Sequence, residues 1–114
     1  MAYKLKALPL PVQRAVSDGF PLYWIWFDPG MTCRTVYDGY ALFAVTGHHE
    51  NGTQIERRLY LAYEADRAKQ LNGLLKDYLS ESSYLKLKER LDEIIFRRET
   101  IRLESHRRNQ RSFP

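Results

Sequence analysis

The chain is poor in the features that announce chemistry. It has a single cysteine, Cys33, so no internal disulfide can form, and the lone thiol suits a reducing compartment. No apolar run approaches the roughly 18–20 residues that span a bilayer. The run Leu22-Tyr23-Trp24-Ile25-Trp26-Phe27 is only strand length. The segment Met1–Pro9 has basic residues but no continuous apolar stretch, so no signal peptide is expected and the cytoplasm is the expected location. There is no glycine-rich phosphate loop, no nucleophile elbow, no Cys-x-x-Cys pair and no His-Glu-x-x-His. No cofactor, no metal site and no catalytic residue are therefore expected, and a non-enzymatic protein fits best.

What is present is an uneven distribution of charge. Residues 1–83 hold nine Lys/Arg and nine Asp/Glu, whereas residues 84–114 hold nine against five. The second segment thus carries the whole net charge of +4. A neutral, aromatic-rich body with a basic end suggests a binding module. At 114 residues the chain is expected to form one domain with a core that needs no staples.

Pro11 suits the first turn of a helix, Gly19 its end, and Pro21 blocks its continuation, so residues 11–18 are expected to be a short helix. Asp28-Pro29-Gly30, Asp38-Gly39 and Asn51-Gly52 then mark turns. They divide the next segment into strands at 22–27, 31–37, 40–49 and 53–63, an antiparallel meander. With Asn51-Gly52 as the turn, Phe43 should face Tyr60; with Asp38-Gly39, Tyr37 should face Tyr40. One face would then be nearly pure core, including Tyr40, Leu42, Ala44, Leu59 and Leu61. The other would mix Arg34, Phe43, Arg58 and Tyr60, with Ala62 beside them.

From Glu64 the hydrophobic period changes from 2 to 3.6. Ala65, Ala68, Leu71, Leu74, Leu75, Tyr78 and Leu79 predict an amphipathic helix over 64–79, with Gly73 in its interior as a point of close packing. Ser80–Ser83 breaks it and supplies an N-cap. A second helix should run from about residue 83 to 104, with a seam at Tyr84, Leu87, Leu91, Ile94, Arg98 and Ile101. Residues 105–114 read as a polar, fraying basic tail. The expected fold is thus α+β: a short N-terminal helix, a three- to four-stranded antiparallel meander, then a C-terminal α-hairpin with a basic end.

Over residues 22–79, and on the hairpin-then-helix run from Asn51 to Leu79, this order resembles in outline double-stranded-RNA-binding domains and the arm-binding domains of phage-type integrases. Those RNA-binding domains carry a basic cluster at the start of their final helix. Glu64-Ala65-Asp66 stands there instead. The likeness is architectural and transfers no site residue.

Three surfaces are candidates for function. The first is the basic end: Arg97, Arg98, Arg102, Arg107, Arg108 and Arg111 are all arginines, whose planar forks match phosphate or carboxylate. The second is the mixed sheet face of Arg34, Phe43, Arg58 and Tyr60, which could stack bases and hold phosphates. Both point to nucleic acid or an acidic protein surface as partner. The third is apolar. Trp24 and Trp26 on the first strand, with Ile95, Phe96 and Leu103 off the helix seam, suggest a protein interface. Such an interface would suit an adaptor or inhibitor, for example phage- or plasmid-encoded, or a homodimer through 22–27 or 84–103. His48 and His49 could in principle serve acid–base cleavage of RNA, a small ribonuclease. On adjacent strand residues, however, they point to opposite faces and cannot chelate one metal.

Overall fold

The computed structural model describes residues 7–27 and 39–111, with side chains described for 7–26 and 39–100. The elements in chain order are α1 (Leu10–Ser17), β1 (Leu22–Phe27), β2 (Gly39–His48), β3 (Gln54–Ala62), α2 (Ala65–Leu75) and α3 (Glu81–Arg111). The class is α+β, with one antiparallel sheet in the order β1-β2-β3.

Local sequence explains the ends of the elements. Pro11 sits in the first turn of α1. Gly19 closes the helix at φ +72, and there Gly19 N–H donates to Val16 C=O and Phe20 N–H to Ala15 C=O. Ser80 caps α3, its Oγ accepting from Ser83 N–H at 3.3 Å. Helix α2 stops at Leu75 rather than 79. Nothing lies within 4 Å of where a Cβ on Gly73 would stand, so close packing is not its role.

Among the described residues the sheet has three strands, and the pairing of β1 with β2 corrects the Asp38-Gly39 turn. β1 pairs directly with β2, from Leu22↔Ala44 to Phe27↔Gly39, while β3 takes the other edge, with Tyr40↔Ala62. Tyr40 thus faces Trp26 and Ala62, and no edge of β2 is left for a 31–37 hairpin; that segment lies outside the described residues. Gly39 has a different purpose. A Cβ there would stand 2.6 Å from the Ala62 carbonyl oxygen, so the residue lets β3 approach closely.

The second hairpin forms where Asn51-Gly52 places it, with Gly52 at φ +87, but with a shifted register. Two irregularities, between Val45 and Gly47 and between Leu42 and Phe43, offset one another. Between them Phe43 pairs with Arg58; beyond them Leu42 pairs with Tyr60. The extra residue at Leu59 turns the rest of β3 over, so Tyr60 and Ala62 join the core face and Leu61 leaves it.

All three helices lie on that core face. Trp24, Tyr40, Leu42, Ala44 and Ala62 meet Val12 and Ala15 of α1, Ala68, Leu71 and Leu75 of α2, and Leu87, Leu91, Ile94 and Ile95 of α3. Trp24 is fully buried, and its indole N–H donates to Oδ1 of Asn72 at 3.0 Å. Asn72 is the one buried polar residue among the described residues, and this bond explains why it is tolerated there.

Candidate nucleic-acid interface

Helix α3 positions the basic end. It runs unbroken over 31 residues, about 46 Å at 1.5 Å per residue. Residues 104–111 are therefore helical, which corrects the expectation of a fraying tail. The body ends well before the helix does. Leu87, Leu91, Ile94 and Ile95 are buried, and Arg98 is the last residue with a described contact to the sheet. The radius of gyration, 16.4 Å, exceeds the roughly 13 Å usual for a compact chain of this length. A helix longer than the sheet it rests on accounts for such an excess.

The first half of α3 neutralises itself. Lys88 pairs with Asp92 at 3.0 Å, and Glu93 accepts from both Arg90 (3.3 Å) and Arg97 (2.7 Å). The Asp92 carboxylate raises the Lys88 pKa. These pairs are exposed and add little stability. Residues 97–111, by contrast, hold six arginines against two glutamates. Positions 97, 101, 104, 108 and 111 follow 4-3-4-3 spacing, so positions 97, 108 and 111 share one helix face; position 107 falls beside it and position 102 on the opposite side.

Arg98 is different from its neighbours. Its guanidinium lies 3.9 Å from the centroid of the Trp26 ring. Trp26 in turn meets Tyr40 edge to face, centroids 4.9 Å apart. The arginine that interrupts the hydrophobic seam is thus a half-buried packing residue of the body, not part of the projecting basic surface.

The other sheet face is open: no described helix packs on it. Tyr23 and Phe43 stack there with centroids 5.7 Å apart and planes at 17°. Arg58 is directly opposite Phe43, and Ile25 and Val45 are half-buried beside them. Tyr23 also hydrogen-bonds Glu56. Burial, then that bond and the carboxylate charge, push its pKa above the usual tyrosine range. Of the expected cluster, Phe43 and Arg58 are together, Tyr60 is on the core face, and Arg34 lies outside the described residues. Tyr23 is the member that sequence reasoning missed, although the alternation of β1 put it opposite the tryptophan face.

The apolar candidates divide in the same way. Trp24 is inside the core and Ile95 is 9% exposed, so neither is free for a partner, and Trp26 is covered by Arg98. The seam had placed Ile95 outside because it counted one row of contacts, whereas α3 buries a wider stripe against both sheet and α2. Phe96 is 72% exposed; the Leu103 side chain is outside the described set. His48 and His49 are exposed at the hairpin, and no group of three metal-binding side chains exists among the described residues. No described helix is long and apolar enough to cross a membrane.

The arrangement defines a class by architecture: a three-stranded antiparallel sheet with helices on one face, and a terminal basic helix outrunning the sheet. Compared with family models, curated proteins and solved structures, the chain matches none.

Proposed function

We propose that this protein binds nucleic acid without catalysing a reaction, as a cytoplasmic accessory or regulatory protein, using the C-terminal part of α3 as a phosphate-binding arm. One observation carries the proposal: α3 continues as helix to Arg111 beyond its last described contact with the sheet at Arg98, and residues 97–111 hold six arginines against two glutamates. A helix sets its arginines at regular spacing, so Arg97, Arg102, Arg107, Arg108 and Arg111 would meet phosphates from an element that is already folded. Arg58 with Phe43 and Tyr23 supports a second contact, where an unpaired base could stack.

The test is binding of the full chain to labelled duplex DNA, single-stranded DNA and RNA across a salt series. On duplex DNA the logarithm of affinity should fall with a slope near −0.9 per phosphate contact. The variant Arg102→Gln/Arg107→Gln/Arg108→Gln/Arg111→Gln should lose most of the affinity and flatten the slope. Binding to none of the three, or binding that the variant retains, would overturn the proposal.

A second reading rests on Phe96 and Leu85, both exposed on α3. They would suit an adaptor or inhibitor that docks an acidic protein, with the basic end steering association. Loss of a captured partner on Phe96→Ser, with nucleic-acid affinity unchanged, would favour it.

A further inference from the structure

The apolar core is not closed evenly. Val16, Phe20, Leu22 and Leu79 pack against it but stay only partly buried. They come from separate stretches: the end of α1, the turn after it, the start of β1 and the link between α2 and α3. Yet all four line one hollow of about 490 Å³, a size usual for small-molecule sites. Gly19, at φ +72, and Pro21 form one wall, and the first turns of α3 form the other. Leu87, 5% exposed, closes the floor.

The rim is charged in one sense. α3 brings Ser83, Lys86 and Arg90 to the hollow, spaced i, i+3 and i+7 and so on one helix face. Among the described residues that line the hollow there is no acid. Lys86 is exposed and enters no ion pair among the described residues. Arg90 reaches Glu93 at 3.3 Å, but Glu93 holds Arg97 closer, at 2.7 Å. An incoming anion can therefore draw Arg90 away while Glu93 keeps a partner. Ser83 accepts from the Ser80 hydroxyl at 2.9 Å, which leaves its own proton to donate.

From this we infer that the hollow binds a small organic anion with an aliphatic body, a carboxylate of medium chain length. The body lies against Val16, Phe20, Leu22, Leu79 and Leu87, and the head meets Lys86 and Arg90 at the rim. Each half of the ligand answers one half of the site. A purely apolar molecule gains nothing from the two cations. A bare anion gains only exposed ion pairs, which are weak. One molecule that carries both parts removes half-buried apolar surface from water and anchors its head on a guanidinium fork that matches a carboxylate. The site shares no residue with the proposed nucleic-acid arm.

The experiment titrates octanoate, kept below the concentration at which it forms micelles, into the isotope-labelled full chain and follows the amide resonances. The expected result is one saturable set of shifts, centred on Val16, Phe20, Leu22, Leu79 and Leu87. Octanol, the body without the charge, and acetate, the head without the body, should each bind about tenfold more weakly or worse. Lys86→Gln/Arg90→Gln removes both rim charges from exposed side chains and should weaken octanoate by about the same factor, with the spectrum of the free protein otherwise preserved. Lys69→Gln/Lys76→Gln makes the same change of net charge at exposed positions away from the hollow and should leave the affinity unchanged. The ligand series on the parent chain needs no variant to fold. No saturable shift, shifts centred on the basic arm, octanol or acetate binding as tightly as octanoate, full affinity in the rim variant, or an equal loss in both variants would each overturn the inference. Nucleic-acid binding by the arm can hold or fail without moving any of these readings.

Discussion

The two faces of the sheet are built from alternate residues of the same strands, yet only one is closed. Trp24, Trp26, Tyr40 and Leu42 lie under helices; Tyr23, Ile25, Phe43 and Val45 lie under none that is described. Both sets are apolar or aromatic. The core explains one set completely. The other is more apolar than a solvated face needs, and its aromatic stack sits opposite an arginine. The difference lies in position rather than chemistry: residues of like kind are buried or left uncovered by a described helix according to which side of a strand they occupy.

Removing the centre of the closed face should have the largest effect. Trp24→Ala deletes a fully buried indole from a core with no other tryptophan as deeply placed, and should cost about 3–5 kcal/mol. Urea unfolding checks it. Phe43→Ala on the open face, made in parallel, should cost distinctly less, because its ring is only half-buried. Equal losses would mean that the open face is covered in solution.

Next is the one buried polar contact of the closed face. Asn72→Leu leaves the Trp24 indole N–H without its acceptor, which should cost about 1–3 kcal/mol. Combining it with Trp24→Phe removes donor and acceptor together, and the double variant should be more stable than the sum of the single losses predicts. Strict additivity would mean that the hydrogen bond contributes nothing.

Arg98 marks the border between the faces and the arm. Arg98→Gln should destabilise the protein by roughly 0.5–2 kcal/mol, the range of a cation–π contact from exposed to desolvated. Nucleic-acid affinity should fall less than for Arg108→Gln. The reverse ranking would make Arg98 part of the arm and break the separation of body from arm.

Much of this was legible in the sequence, and what was not had a physical reason. The 3.6-residue period gave α2 and α3, and Gly19 and Ser80 gave the boundaries at the end of α1 and the start of α3. Asn51-Gly52 located the second hairpin because a turn is local, but not its loop: His49 and Thr53 close it around Glu50-Asn51-Gly52, and only Gly52 takes a positive φ, so the register moved. Asp38-Gly39 looked the same but was misread: Gly39 serves the approach of Ala62, which is distant in sequence. The bulge at Leu59 exchanged the faces of Tyr60 and Leu61, and no residue in β3 announces it. Arg98 on Trp26 and Asn72 on Trp24 are pairings across the whole fold, and composition carries no trace of them. In the candidate site, the basic stretch was visible as charge, but its continuation as helix was not, because its polar residues resemble those of a frayed end.

The smallest expected effect concerns the open face alone. Tyr23 donates to Glu56 and is partly desolvated, so its folded pKa stands above that of the unfolded chain, which is near 10. The sign follows directly. Below about pH 10 neither state loses the phenolic proton and the stabilisation is complete. Above it the unfolded chain releases the proton while folded Tyr23 retains it, so stability falls as pH rises towards the folded value. Denaturant midpoints should therefore decline above about pH 10 in the parent and less steeply in Tyr23→Phe, and tyrosinate absorbance should show one late-ionising phenol that this variant lacks. If Tyr23 ionises with the exposed tyrosines, the stack and its bond to Glu56 are not held in solution, and the open face loses the preorganisation that base stacking would use.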